Sequence, residues 1–263
     1  TGIAATFGPT YVTSLIQDFG WKKAYLFLAL TISFLSMPAV FFLFKEPVTR
    51  NTNGENNTVK KQLGVTFRNA LQGHQFWFMG VALIFAAGGI SGLITNSVPM
   101  LIDKGFTLSE AASYAGLIGV SVIVGRLVVG FLLDYFWAPM IAAIFLSSPL
   151  IAAIILVGNS DSNLIISLSM IIIGLAAGAE LDLLAFLASR YFGLKEYGKL
   201  YGSLYVFFSI GAGLAPALFG RYFDINGDYD LLLYLVIIAS IISGLLMLRL
   251  GPYPSSENTE KNV

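Results

Sequence analysis

Residues 163–189 read NLIISLSMIIIGLAAGAELDLLAFLAS, a run of 27 residues with only two ionisable side chains, Glu180 and Asp182. A hydrocarbon core of roughly 30 Å takes about 20 apolar residues to cross as a helix, so this stretch is long enough to span it. Seven more stretches of the same kind surround it, at 1–17, 23–44, 76–101, 110–133, 138–157, 197–223 and 229–250. Together they fill nearly all of the 263-residue chain, which is 56% hydrophobic and 11% charged, with a mean hydropathy of +0.78. A soluble domain of this size needs far more polar surface. At membrane depth the backbone must satisfy its own hydrogen bonds, which excludes open sheets. The expectation is an all-α fold, a polytopic membrane helical bundle of about eight transmembrane helices.

The charge is balanced, with 15 basic and 15 acidic residues, so no basic footprint points to nucleic acid. There are no cysteines, which removes disulfides, iron–sulfur clusters and thiol chemistry. The single histidine, His74, stands in a polar linker without the partners a metal site needs. No metal or cofactor is expected. The chain opens on Thr1 and enters an apolar segment at once, with no basic region before it. A signal peptide is a poor reading of that start, and an N-terminally truncated chain is the expectation.

Most connections between the spans are short, which makes neighbouring helices antiparallel. One differs. Residues 45–75, KEPVTRNTNGENNTVKKQLGVTFRNALQGHQ, form a long hydrophilic linker between a pair of helices at 1–44 and a six-helix block at 76–250, and a polar tail follows at 251–263. Alternating the loops puts ten Lys and Arg residues on the side of this linker and four on the other, with Arg126 on neither. The positive-inside rule then places the linker and the C-terminus in the cytoplasm, with a bacterial inner (plasma) membrane as the expected location. The chain also repeats itself. FGPTYVTSLIQDFGWKKAYLFLAL near the start and LAPALFGRYFDINGDYDLLLYLVI near the end align without a gap, Pro9 on Pro216 and Gly20 on Gly227. The first two helices are thus the counterpart of the last two, and 76–250 is one complete half.

Six helices, a cytoplasmic linker and six related helices is the plan of the major facilitator superfamily, which this chain resembles from about the fifth transmembrane helix onward. TGIAATFGPT, with Gly2, Gly8 and Pro9, is similar to the Gly-rich fifth helix of that superfamily. GFLLDYF at 130–136 resembles the second-half copy of its cytoplasmic G-x-L-x-D signature, keeping Gly130, Leu132 and Asp134. The basic residues usual after that Asp are replaced by Tyr135, Phe136 and Trp137. The longer strings GRLVVGFLLDYF and GLAAGAELDLLAFLASRYFGLKEYGKLYG resemble the monocarboxylate-transporter and oxalate–formate-antiporter branch. In that branch an arginine on the eighth helix binds the substrate carboxylate, and Arg126 occupies its place. The aspartate that proton-coupled members carry four residues earlier is Val122 here.

Charge in mid-membrane costs at least ~2.5–3.5 kcal/mol per residue on insertion scales, so it needs a reason. Three such residues occur. Arg126 lies eight residues before Asp134 at the cytoplasmic end of its span, a depth of about 12 Å at the helical rise. Glu180 and Asp182 lie ten and eight residues before Arg190, about 15 and 12 Å deep. A guanidinium binds a carboxylate through two parallel hydrogen bonds and does not discharge, which suits Arg126 to an anionic substrate. The competing reading is a buried salt bridge from Arg126 to Glu180 or Asp182 that locks two helices. Glu180 and Asp182 point roughly 200° apart, so at most one of them faces a cavity. Asn96, beside Gly88, Gly89, Ser91 and Gly92, is a further candidate for ligand contact, with helix packing as the plainer role of that cluster. Asp134 and Arg190 read as a cytoplasmic clamp or as ordinary interfacial charge. Gly198 and Gly202 read as a helix-contact pattern. Tyr114, Tyr205 and Phe207 are possible lining residues.

The function this implies is a secondary active transporter, not an enzyme, moving a small organic anion by alternating access with a coupled proton or counter-anion. No G-x-x-x-x-G-K-[ST] loop occurs, and no nucleophile–base pair or H-E-x-x-H motif supports an intramembrane enzyme. A channel would need rings of polar groups, and none is visible. The alternatives are a drug or sugar carrier of the same superfamily, against which Arg126 argues, and an inactive fragment of such a transporter.

Overall fold

The computed structural model describes residues 15–16, 18–31, 33–34, 38, 64–158 and 162–254. The chain divides into two compact units, Thr1–Lys60 and Lys61–Val263. In the first unit helical residues lie on both sides of Gly20, whose φ is 74°. The expected spans 1–17 and 23–44 otherwise fall largely outside the described residues.

The second unit is built from α1 (Phe67–Gln72), α2 (His74–Asp103), α3 (Leu108–Tyr135), α4 (Ala138–Ser147), α5 (Pro149–Val157), α6 (Asn163–Phe192), α7 (Tyr197–Asn226) and α8 (Asp230–Leu248). Six segments are long and apolar enough to cross a membrane: α2, α3, α4 with α5, α6, α7 and α8. Helices of 30 residues, such as α2, α6 and α7, rise about 45 Å and so reach through the headgroup layers as well. The fold is an all-α polytopic membrane bundle.

Local chemistry sets the ends. Thr107 opens α3 with a capping box, its hydroxyl accepting from the Glu110 N–H at 3.3 Å while the Glu110 carboxylate accepts from the Thr107 N–H at 2.9 Å. Gly227 closes α7 in the left-handed conformation, φ 76°, and its N–H donates to the Phe223 carbonyl at 2.8 Å. This is the residue that the internal repeat sets on Gly20, and both take positive φ. The expected single helix over 138–157 is broken at Ser148, because Pro149 has no N–H to continue the ladder of α4.

The hydrophilic linker carries structure of its own towards its end. Its last part forms α1, and His74 opens α2 with its ring 5.3 Å from that of Phe78. The carboxylate of Glu196 accepts from the Phe67 N–H at the start of α1, and the Val65 N–H donates to the Phe192 carbonyl at 2.8 Å. A side chain at Gly64 would come within 2.8 Å of the Phe192 carbonyl and the Lys195 amide, so only glycine fits that approach. Val65, Phe67 and Leu71 turn their apolar side chains against the core at the α2, α6 and α7 ends.

Helices in lipid gain little from hydrophobic burial against each other, so close approach of small residues decides which ones pair. The two closest pairings are α2 with α7 and α3 with α6. Gly211 of α7 sits against the Ile84 carbonyl, and Gly92 of α2 would place a methyl 2.7 Å from the Phe219 ring. Ser91 donates across the same contact to the Ala212 carbonyl at 2.8 Å. The Gly88–Gly92 cluster is therefore a packing surface. Gly198 and Gly202 are exposed, with nothing among the described residues within 4 Å of an added methyl. On the other side α8 packs on α2, α4 and α5, with the Ser243 hydroxyl donating to the Ala82 carbonyl at 3.0 Å. That leaves α3 and α7 as the least enclosed spans of the unit.

Candidate functional site

The contact of α3 with α6 positions the deep charges. A methyl added at Gly174 would come 2.5 Å from the Ile118 carbonyl and 2.6 Å from the Ser121 side chain. One turn further, Gly178 lies against the Val122 carbonyl, and its methyl would come 3.1 Å from the Arg126 amide nitrogen. Gly125 repeats the contact from the other helix, 2.6 Å from the Leu175 carbonyl. From Ile118–Gly174 to Val122–Gly178 the contact advances by four residues on both helices, so α3 and α6 run in the same direction as their loops require. Arg126 follows Val122 by one turn, and Asp182 follows Gly178 by one turn. The two charged residues thus leave the same point of contact on neighbouring helices.

Arg126 is half-buried, and its Nε is enclosed without a hydrogen-bond partner. Asp182 is also half-buried. It shares a stripe of α6 with Gly174 and Gly178, since four residues on a helix return to nearly the same face. Its charge lies within electrostatic reach of the Tyr201 hydroxyl on α7. Among the described residues no ion pair joins Arg126 to Asp182 or to Glu180; the ion pair found there is Lys199–Glu196 at 2.8 Å. The salt-bridge reading of Arg126 is therefore not realised in this structure.

Glu180 stands apart. It is 8% exposed, and its stripe of α6, with Ala176, Leu183, Leu184 and Leu187, is buried in the bundle interior. Its Oε2 makes no hydrogen bond. Of the two carboxylates, Asp182 is the one that shares the α6 stripe packed on α3.

Asn96 is buried on α2, and its amide donates to the Gly92 carbonyl of its own helix at 2.9 Å. Tyr114 rests edge-on against Phe106, and Phe207 packs between Phe76, Trp77 and Gly80, so both are packing residues. Tyr205 is 41% exposed and belongs to a row the sequence reading missed. Tyr197, Tyr201, Tyr205 and Phe208 stack in order along α7 with ring centroids 5.7, 6.1 and 5.2 Å apart. Their four- and three-residue spacing was the available signal.

Asp134 and Arg190 occupy the last turns of α3 and α6 and are both exposed, with no ion pair between them. Arg190 instead lies over the rings of Phe186 at 5.3 Å and Tyr253 at 5.6 Å. Tyr253 accepts from the Ala138 N–H at 3.0 Å, and Tyr191 donates to the Gly251 carbonyl. Residues 251–254, the start of the polar tail, are thus folded onto the bundle.

The sequence model described as Major Facilitator Superfamily matches residues 1–216, and the chain belongs to this family of membrane transporters. It is 29% identical over 189 residues to an uncharacterized 38 kDa protein in the 23S RNA operon of Thermoproteus tenax, covering 72% of this chain and 48% of that protein. It is 23% identical over 133 residues to monocarboxylate transporter 9 of Gallus gallus, covering 50% of this chain and 26% of the relative. The chain spans about half the length of the first of these relatives and about a quarter of the second. A crystal structure of a bacterial homolog of the human lysosomal transporter Spinster, inward-facing and unoccupied, superposes with a TM-score of 0.50 at 16% identity, covering 95% of this chain and 66% of that one. That likeness concerns the fold.

Proposed function

We propose that the full-length protein carrying this chain is a secondary active transporter that moves a small organic anion, a monocarboxylate or dicarboxylate, by alternating access. The observation that carries this reading is Arg126, a permanent cation about two turns inside the membrane whose Nε is buried and has no acceptor among the described residues. Leaving such a group unpaired is costly, and a carboxylate supplies the two parallel acceptors a guanidinium fork requires. Close packing at Gly178 fixes the backbone of Arg126 against α6, so the fork is presented from a rigid element. The resemblance to the monocarboxylate branch, and the similarity to monocarboxylate transporter 9, support the same class of substrate. Exchange against a counter-anion, or co-transport of a proton, supplies the driving force. The ten-to-four distribution of Lys and Arg favours a cytoplasmic linker and C-terminus in a plasma membrane.

The test is uptake of labelled monocarboxylates and dicarboxylates into proteoliposomes holding the full-length protein. Arg126→Ala is expected to abolish uptake, and Arg126→Lys to reduce it severely while the protein still inserts normally. Uptake at the wild-type rate in both variants contradicts the assignment.

A further inference from the structure

Arg126 and Asp182 are opposite charges that diverge from one helix contact, and neither has an ion-pair partner among the described residues. That combination restricts the cargo further than Arg126 does alone. A simple anion on Arg126 would satisfy the guanidinium and leave the Asp182 charge uncompensated once water is excluded. A dianion would make the imbalance worse. A solute that carries a carboxylate and a protonated amine together neutralises both groups and enters and leaves without a net charge.

We infer that Arg126 and Asp182 form the two poles of a site for an amino acid, with its carboxylate on Arg126 and its ammonium on Asp182. This rests on the reading of Arg126 as the carboxylate anchor, and it narrows the cargo of the proposed function from a carboxylate anion to a carboxylate that also carries an amine. Three observations support the second pole. Asp182 lies on the stripe of α6 that contains Gly178, one turn beyond the point where Gly178 meets Val122 and the Arg126 backbone. It is half-buried and has no hydrogen bond or ion pair among the described residues. The Tyr201 hydroxyl is within electrostatic reach of Asp182, and a hydroxyl oxygen can accept a hydrogen bond from an ammonium held there. Glu180 contributes nothing to this pole, because it is buried on the opposite side of α6.

The experiment is a binding panel on the purified full-length protein. The proteinogenic amino acids are titrated one by one, each beside its deamino acid and its decarboxylated amine. The inference expects at least one amino acid to bind at least ~10-fold more tightly than both of its singly charged analogues, because a site built for both charges rejects a ligand lacking one. Asp182→Asn should abolish the advantage of the amino acid over its deamino acid and leave binding of the deamino acid in place. Asp182→Glu should retain part of the advantage. Deamino acids that bind as well as their amino acids, an unchanged preference in Asp182→Asn, or no amino acid binding at all would each overturn the inference. The anion reading fails separately: its mark is deamino acids binding equally well to wild type and to Arg126→Ala.

Discussion

Gly178 of α6 lies so close to the Val122 carbonyl of α3 that no side-chain carbon fits between them. This contact brings the Arg126 backbone against α6, and it makes the first prediction. Gly178→Ala must push the two helices apart and should destabilise the protein by about 1–3 kcal/mol, the usual range for overpacking. Gly119→Ala on the same α3 is the control, since nothing lies within 4 Å of its added methyl and alanine is the better helix former. Thermal unfolding in detergent should show a lower midpoint for the first and an equal or higher one for the second.

Glu180 separates stability from binding. Its stripe of α6 faces the bundle interior, about 200° from Asp182. Glu180→Gln, which keeps the size and removes the charge, is expected to leave carboxylate affinity within about twofold of wild type. A loss of about tenfold or more would place Glu180 in the site.

Tyr253 ties the C-terminal segment to α4 and α6. Tyr253→Phe loses the hydrogen bond from the Ala138 N–H and should cost about 0.5–1.5 kcal/mol. Tyr253→Ala also removes the ring beneath Arg190, which frees that guanidinium to reach Asp134. A double-mutant cycle between Asp134→Asn and Arg190→Gln should show little coupling in the wild-type background and measurable coupling in the Tyr253→Ala background.

The linker end carries a pH dependence. The Glu196 carboxyl is held below its ordinary value, first by the hydrogen bond from Lys199 and then by the Phe67 N–H. A carboxyl lowered in the folded state contributes stability at pH values above its unfolded value, and that contribution is lost as pH falls through the lowered folded value. Amide exchange at Phe67, corrected for its intrinsic rate, should therefore be slow at neutral pH and speed up under acid conditions. Glu196→Gln should show the faster exchange at neutral pH as well.

Much of the fold is legible in the sequence because hydropathy and span length are averaged over some twenty residues. All six spans of the second unit sit where the apolar runs place them, with ends shifted by a few residues where Thr107 and Gly227 set the caps. Short features were harder to read. The six-residue α1 is too brief to stand out within a polar linker and is held by Glu196, distant in sequence. The site was legible as depth but not as direction. Counting residues brings Arg126, Glu180 and Asp182 to similar levels, yet which carboxylate turns towards α3 depends on the face of α6 that packs there. Gly174 and Gly178 settle that, four residues apart on the stripe of Asp182. The identical spacing at Gly198 and Gly202 meets no described residue within 4 Å. A small-residue pattern permits close approach, but the partner helix decides whether it happens.

The most direct measurement is a carboxylate titration of the purified full-length protein against its Arg126→Lys variant. The lysine keeps the positive charge and loses the fork, so a site that grips a carboxylate through two parallel bonds should weaken at least about tenfold, roughly 1.4 kcal/mol. An unchanged dissociation constant would contradict the assignment of Arg126 to the cargo.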